Sequence, residues 1–264
     1  IYQQSMHIKS KDAICEEASF FEKYEREFQL RPINIIDQAF IDFRTCKNPN
    51  KINLTLGIYK QGTEDPYYFN VIKMAEQLIF KNKKRTKGYL DAHGVDNFNN
   101  LVASYFLKDN TEEIKQGRMN IIQTLSATGA ISVTLNLIKC LTNVKEIYTS
   151  NYYYPLYDDI FSEVKELKLK IHPYYDIKTN TLMFEDLIYF IKNCSLNSII
   201  LFNTCAHNPT GTDMNFEQWN QFSDIIKSKN IILIMDSAYL GFITGDPYKD
   251  FYPVRMLISK NIEF

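Results

Sequence analysis

Asp236 and Tyr239 stand three residues apart at the end of an unbroken apolar run, Ile231-Ile232-Leu233-Ile234-Met235. Five apolar residues without polar alternation fit a strand buried on both faces of a parallel sheet. Open α/β sheets bind ligands at the carboxyl ends of such strands. A carboxylate there is costly unless something cationic or protonated faces it. Asp236 therefore asks for such a partner, and Tyr239 adds a phenol nearby. The plainer alternative is a helix N-cap, since Asp often follows a strand that feeds a helix.

Three other stretches put polar groups where a strand is expected to end. Gln123-Thr124-Leu125-Ser126-Ala127-Thr128-Gly129-Ala130 passes from an apolar segment into a helix through small hydroxyl residues. Free backbone N–H groups at a helix start, with the hydroxyls of Ser126 and Thr128, would cradle a phosphate. Ser and Thr are equally ordinary N-caps. Asn203-Thr204-Cys205-Ala206-His207-Asn208-Pro209-Thr210-Gly211 follows the apolar Ile199-Ile200-Leu201-Phe202. Its Asn-Pro-Thr-Gly is a turn by composition, and an Asn-Pro bond is open to the cis isomer. Asn208 offers an uncharged donor suited to an anionic oxygen on a ligand, whereas His207 is expected to be a structural hydrogen-bonder. Tyr152, Tyr153 and Tyr154 follow a strand at 145–150, and they either cap the core or offer a ring to stack on a flat cofactor.

A phosphate cradle, a stacking ring, an uncharged donor, an acid and a phenol at successive strand ends are the set that pyridoxal phosphate needs. The phosphate calls for a helix N-terminus. The ring nitrogen must stay protonated to act as an electron sink, which a carboxylate enforces. The phenolate oxygen calls for neutral donors.

The elements that would position these groups alternate regularly. Strands are expected at 120–124, 145–150, 169–173, 198–202 and 231–235, with helices at 128–141, 154–167, 184–193 and 216–229. That rhythm gives βαβ units and a mainly parallel sheet flanked by helices, an α/β fold. Before them lie helices over 13–29, after Pro32 toward Cys46, from Tyr68 to Ile79, and around Phe98 to Phe106. Lys51–Tyr59 reads as an extended segment interrupted by Gly57, where a ligand or another backbone comes close. Ile262-Glu263-Phe264 reads as the start of another strand.

With 264 residues, 45% of them hydrophobic, the chain buries a substantial core of one or two domains. Thirty basic and thirty-one acidic residues leave a net charge of -1, which points to neither nucleic acid nor an anionic membrane. The five cysteines are odd in number and contain no CxxC pair, as expected of reduced thiols in a cytoplasmic protein. The first thirty residues mix acids and bases without an apolar core, so neither a secretory leader nor a mitochondrial presequence is expected.

From about Pro32 to Phe264 the sequence resembles the class I, fold-type I aminotransferases, most closely their aspartate aminotransferase branch. The resemblance is carried by Lys51-Ile52-Asn53-Leu54 with Gly57-Ile58-Tyr59-Lys60, by Tyr89-Leu90 with Gly94, and by Gln123 to Ala130. It continues in Cys205-Ala206-His207-Asn208-Pro209-Thr210-Gly211-Thr212 and in Asp236-Ser237-Ala238-Tyr239 with Gly241-Phe242. It implies an N-terminal arm over 1–31, part of a small domain over 32–66, and a large domain binding pyridoxal 5'-phosphate over 67–264. Asp236 would then pair with the pyridine nitrogen, and Asn208 and Tyr239 would hydrogen-bond the phenolate oxygen. Ser126, Thr128 and the Ala127 backbone would hold the phosphate, and Tyr154 would stack on the ring. Tyr89 would reach the phosphate of a neighbouring subunit, which makes a homodimer part of the site. Gly57 would lie against the substrate, with Tyr154 and Asn208 also on the substrate side.

Several positions depart from the family pattern. Tyr154 replaces a stacking tryptophan, Ala127 a glycine, and Tyr152 a proline. Two histidines that usually support the ring-binding acid correspond to Tyr157 and Asn203, so the hydrogen bonds behind Asp236 are expected to be rebuilt. The family's Schiff-base lysine, and the arginines that bind substrate carboxylates, fall beyond Phe264. The 264 residues are therefore expected to be part of a longer polypeptide, inactive alone, with the C-terminal part of the fold absent. The resemblance implies transfer of an amino group between L-aspartate and 2-oxoglutarate by a ping-pong mechanism. The alternatives are an aromatic-amino-acid aminotransferase of the same branch and a non-catalytic dimeric relative.

Overall fold

The structure, a computed structural model, describes residues 35–62, 65–108 and 112–264. The helix expected over 13–29 and the arm over 1–31 lie outside the described residues. The chain divides into two compact units, one up to Glu76 and one from Gln77 to Phe264.

In the first unit α1 (Ile35–Thr45) is closed by Lys51, whose Nζ donates to the carbonyls of Phe43 and Cys46 at 2.8 and 2.9 Å. The segment from Lys51 to Tyr59 joins no strand, and a single bridge pairs Lys60 with Pro66. Tyr59, Tyr67 and Phe69 pack as an aromatic trio just before α2 (Asn70–Lys81), which carries the chain into the second unit.

The second unit opens with α3 (Asp96–Leu107), the single turn α4 (Glu112–Lys115) and α5 (Ser126–Leu141). Four parallel strands follow, β1 (Glu146–Ser150), β2 (Lys168–His172), β5 (Ile199–Asn203) and β6 (Ile232–Asp236), in the order β2-β1-β5-β6. Between them run α6 (Leu156–Ser162), the short hairpin β3 (Tyr175–Asp176) with β4 (Thr181–Leu182), α7 (Phe184–Asn193) and α8 (Phe216–Ser228). The chain then turns through α9 (Pro247–Asp250) and α10 (Tyr252–Ser259).

All five residues of β5 are buried, as a central parallel strand requires. Successive side chains of a strand point to opposite faces, and the core follows that period. Ile199 and Leu201 pack with Ile131 and Leu135 of α5 and with Tyr157 and Ile160 of α6. Ile200 and Phe202 pack on the other face with Leu187 and Ile191 of α7 and with Trp219 and Phe222 of α8. In β6, Ile232 and Ile234 join the first face, and Leu233 and Met235 the second. The same parity assigns Asn203 and Asp236 to the face that holds Tyr157, and the register pairs these two residues directly.

Four of the five expected strands lie within one residue of the observed ones, and α7 has the expected bounds. The strand expected at 120–124 does not form. Its backbone is committed elsewhere: Gln123 N donates to His93 O at 3.0 Å, and Asn99 Nδ2 donates to Ile121 O at 3.2 Å. The helix expected over 154–167 is shorter, because Pro155 precedes its first turn and residues beyond Ser162 wind into isolated turns. Ile262–Phe264 is coil after α10 rather than the start of a strand.

Candidate active site

The carboxyl ends of β5 and β6 and the turn after β1 gather five side chains around Asp236. Tyr157 Oη donates to Asp236 Oδ2 at 2.6 Å, and the Asn203 side chain stands beside the same phenol, where it lowers the pKa slightly against the larger effects of burial and Asp236. Tyr154 meets the Tyr157 ring edge to face, with centroids 5.7 Å apart. Burial first, then the neighbouring Tyr239 and Asp236, raises the Tyr154 phenol above its ordinary pKa. Asn208 Nδ2 reaches Tyr239 Oη at 3.5 Å, which closes the cluster from the loop after β5.

Asp236 caps no helix, so the N-cap alternative fails. A run of turns follows it up to Gly245, and its carboxylate takes a phenol rather than a backbone amide. The tyrosines of 152–154 likewise do more than close the core. Tyr154 enters the polar cluster, while Tyr153 donates to Asp158 at 2.9 Å and is pushed up to about 12 by burial and that carboxylate.

Two carboxylates that sequence reasoning passed over shape the loops. Asp213 accepts the amides of Ala206 at 2.7 Å and His207 at 2.9 Å, gripping the turn that ends in Asn208. The Asn208-Pro209 bond is cis. Asp250, 3% exposed, accepts the amides of Gly241, Ile243 and Thr244 and the Thr244 hydroxyl, organising the loop after Tyr239. Thr210-Gly211-Thr212-Asp213 is a turn-rich run whose acid was a legible signal for loop bracing. Asp250 has no local signal, since its donors come from six to nine residues away. His207 is the structural residue expected: its ring joins Ser150 Oγ and Thr210 Oγ1, each at 2.8 Å. Cys205 is buried, and its thiol is pushed up to about 12 by burial and by Asp213 and Asp250, so it is no nucleophile near neutral pH.

Ser126, Ala127 and Thr128 form the exposed first turn of α5. The capping alternative fails here too, because the N-cap position is Leu125 and no side chain caps the turn. Ser126 adopts a φ of +60°, in the left-handed region. No hydrogen bond or ring contact links this turn to Asp236; the two are related through α5, which packs on the same core face as Tyr157. Tyr89 is fully exposed in the turn from Gly88 to Gly94. That turn needs glycine at 94, where φ is +95° and an added Cβ would lie 2.4 Å from Gln123 Cβ. Gly57 belongs to the first unit and is exposed.

Residues 49–264 match the family Aminotransferase class I and II. The chain belongs to that aminotransferase family. It is 33% identical over 222 residues to the mitochondrial aspartate aminotransferase of Gallus gallus, covering 84% of this chain and 52% of the relative. It is 35% identical over 233 residues to a chloroplastic aspartate aminotransferase of Arabidopsis thaliana, covering 88% and 50%. Among solved structures, the cytoplasmic aspartate aminotransferase of Saccharomyces cerevisiae superposes with a TM-score of 0.83 at 30% identity, over 89% of this chain and 57% of that one. An aromatic-amino-acid aminotransferase of Burkholderia pseudomallei, covalently bound to pyridoxal phosphate, gives 0.82 at 26% identity, over 89% and 58%. The chain thus spans about half the length of the relatives it matches. The aminotransferase fold, a parallel sheet between helices, is the fold-type I architecture expected from the sequence. The strand-end residues suit pyridoxal phosphate chemically: a hydrogen-bonded carboxylate, two uncharged donors, and a helix start whose amides no side chain caps.

Proposed function

We propose that this chain is the cofactor-binding part of an aminotransferase that moves an amino group between L-aspartate and 2-oxoglutarate. On this reading it acts as a cytoplasmic homodimer with pyridoxal 5'-phosphate, residues 67–264 form the large domain, and residues 32–66 belong to the small one. Membership of the aminotransferase family and the aspartate aminotransferase relatives support the activity. The observation that carries it is Asp236 at the carboxyl end of β6, hydrogen-bonded by buried Tyr157 and flanked by Tyr154, Asn208 and Tyr239. Among the described residues no helix is long and apolar enough to cross a membrane.

Pyridoxal phosphate supplies an electron sink for the pair left when the Cα–H bond of an amino acid breaks. The protein keeps that sink open: the Asp236 carboxylate holds a proton on the ring nitrogen by favouring its charged form. Asn208 and Tyr239 donate hydrogen bonds to the phenolate oxygen. The Ala127 amide and the hydroxyls of Ser126 and Thr128 bind the phosphate at the positive end of α5. Tyr154 would stack on the ring and limit access for water. Tyr89 would serve the phosphate of a partner subunit, and Gly57 would leave a substrate carboxylate free to approach its backbone.

Aromatic amino acids are the second reading, favoured by the aromatic-amino-acid aminotransferases among the structural neighbours. The test is the visible spectrum of the full-length protein with pyridoxal phosphate, before and after L-aspartate or L-phenylalanine. A protein-bound band that aspartate abolishes supports the reading, and a band that only phenylalanine abolishes moves it to the aromatic substrates. A folded protein whose spectrum is that of free cofactor, unmoved by either, sinks it.

A further inference from the structure

Tyr157 is 1% exposed, yet its phenol serves polar neighbours. It donates to Asp236 at 2.6 Å, and the Asn203 side chain stands beside it. A phenol has one proton, and here Asp236 takes it. Of Asn203, Tyr157 and Asp236, only Asp236 carries charge. The Asp236 Oδ1 atom accepts no hydrogen bond among the described residues. The Tyr157 ring cannot swing away. Tyr153 lies parallel to it with centroids 6.2 Å apart, Tyr154 meets it edge on at 5.7 Å, and Ile131, Leu135 and Ile160 share its core cluster. Burial and the Asp236 charge raise the phenol well above its ordinary pKa, so it keeps its proton throughout the neutral range.

We infer that Tyr157 is a positioning residue for the cofactor: a neutral donor that fixes Asp236 by Oδ2 and leaves Oδ1, with the carboxylate's charge undiminished, for the ligand's cationic ring nitrogen. A cation in the same place would compete for that charge. A neutral phenol steadies the carboxylate without doing so, and it does not titrate between pH 5 and 8 as an imidazole would. The inference rests on the function proposed above.

The experiment is equilibrium titration of the full-length protein with pyridoxal 5'-phosphate from pH 5.5 to 8, for wild type, Tyr157→Phe, Tyr157→His and Asp236→Asn. Hydrogen bonds to charged groups contribute enough that Tyr157→Phe should weaken binding at least about tenfold at every pH. Tyr157→His should approach wild type at pH 8 and fall away from it as the imidazole protonates below about pH 6.5. Wild-type affinity in Tyr157→Phe, alongside weakened Asp236→Asn, would overturn the inference and leave the proposed function standing. Wild-type affinity in Asp236→Asn would overturn that function. Should Tyr157→Phe fail to fold, the Tyr157→His series decides alone, and a constant ratio to wild type across pH counts against the inference.

Discussion

His207 and Tyr174 lie ring against ring, with centroids 4.2 Å apart and planes 27° from parallel. His207 is 2% exposed, and its nitrogens face only the hydroxyls of Ser150 and Thr210. Nearby, His172 is 1% exposed, stacks on Phe202 and joins Pro173 O through Nδ1, while its Nε2 has no partner among the described residues. Neither ring has a carboxylate to stabilise a charge. Burial holds His172 at about 4, and burial together with the neighbouring His172 holds His207 at about 3. The unfolded chain protonates both near 6.5 while the folded chain does not. The contribution of the neutral rings is therefore complete above pH 6.5 and is lost as pH falls from there toward 4. It is on the order of 3 kcal/mol for His172 and about 5 kcal/mol for His207, whose loss continues toward pH 3, and the loss per pH unit approaches one proton each. Urea unfolding of the full-length protein between pH 7 and 4.5 should show this decline, less steeply in His172→Gln. An unchanged slope in that variant would refute the account.

The loop that presents Asn208 depends on an acid five residues further along. Ala206 has a φ of +49°, a conformation that favours glycine, and the two Asp213 bonds to its amide and that of His207 hold it there. Asp213→Ala leaves both amides without an acceptor, a loss of about 2–4 kcal/mol. Because Asn208 follows directly, the same variant should also weaken pyridoxal phosphate binding. Adding Ala206→Gly removes the strained φ and should recover about 1 kcal/mol of stability. Thermal unfolding and cofactor titration of the single and double variants check both effects; a double variant no more stable than Asp213→Ala refutes the bracing role.

The central sheet was legible because β5 and β6 carry unbroken apolar runs, Ile199–Phe202 and Ile231–Met235, with nowhere to go but a parallel core. Their parity also carried the site, since residues 199, 201 and 203 alternate onto one face and the register brings Asn203 beside Asp236. The apolar Ile121-Ile122 looked the same locally and became coil, because Asn99 and His93, over 20 residues away, took its backbone bonds. The β3–β4 hairpin was invisible for a similar reason. Asn151 pins Tyr174 and Tyr175 from across the turn, a contact with no periodicity in the sequence. The correspondence of Tyr157 and Asn203 with two usual histidines was readable, but that Tyr157 donates to Asp236 required coordinates.

Ser126 separates backbone strain from ligand binding. Its φ of +60° sits in the left-handed region at the first turn of α5, and it caps nothing. An L-residue held there costs about 1–2 kcal/mol relative to glycine. If its hydroxyl is a phosphate ligand, Ser126→Gly should raise the unfolding temperature of the apo protein while lowering its affinity for pyridoxal phosphate. Ser126→Ala keeps the strain and loses the same hydroxyl, so it should bind as weakly without the gain in stability. Pyridoxal, which lacks the phosphate, supplies the control, because its binding should not distinguish the three proteins. Phosphate-independent weakening in both variants would mean that Ser126 shapes the turn rather than holding the ligand, and the cradle would then rest on Thr128 and the backbone alone.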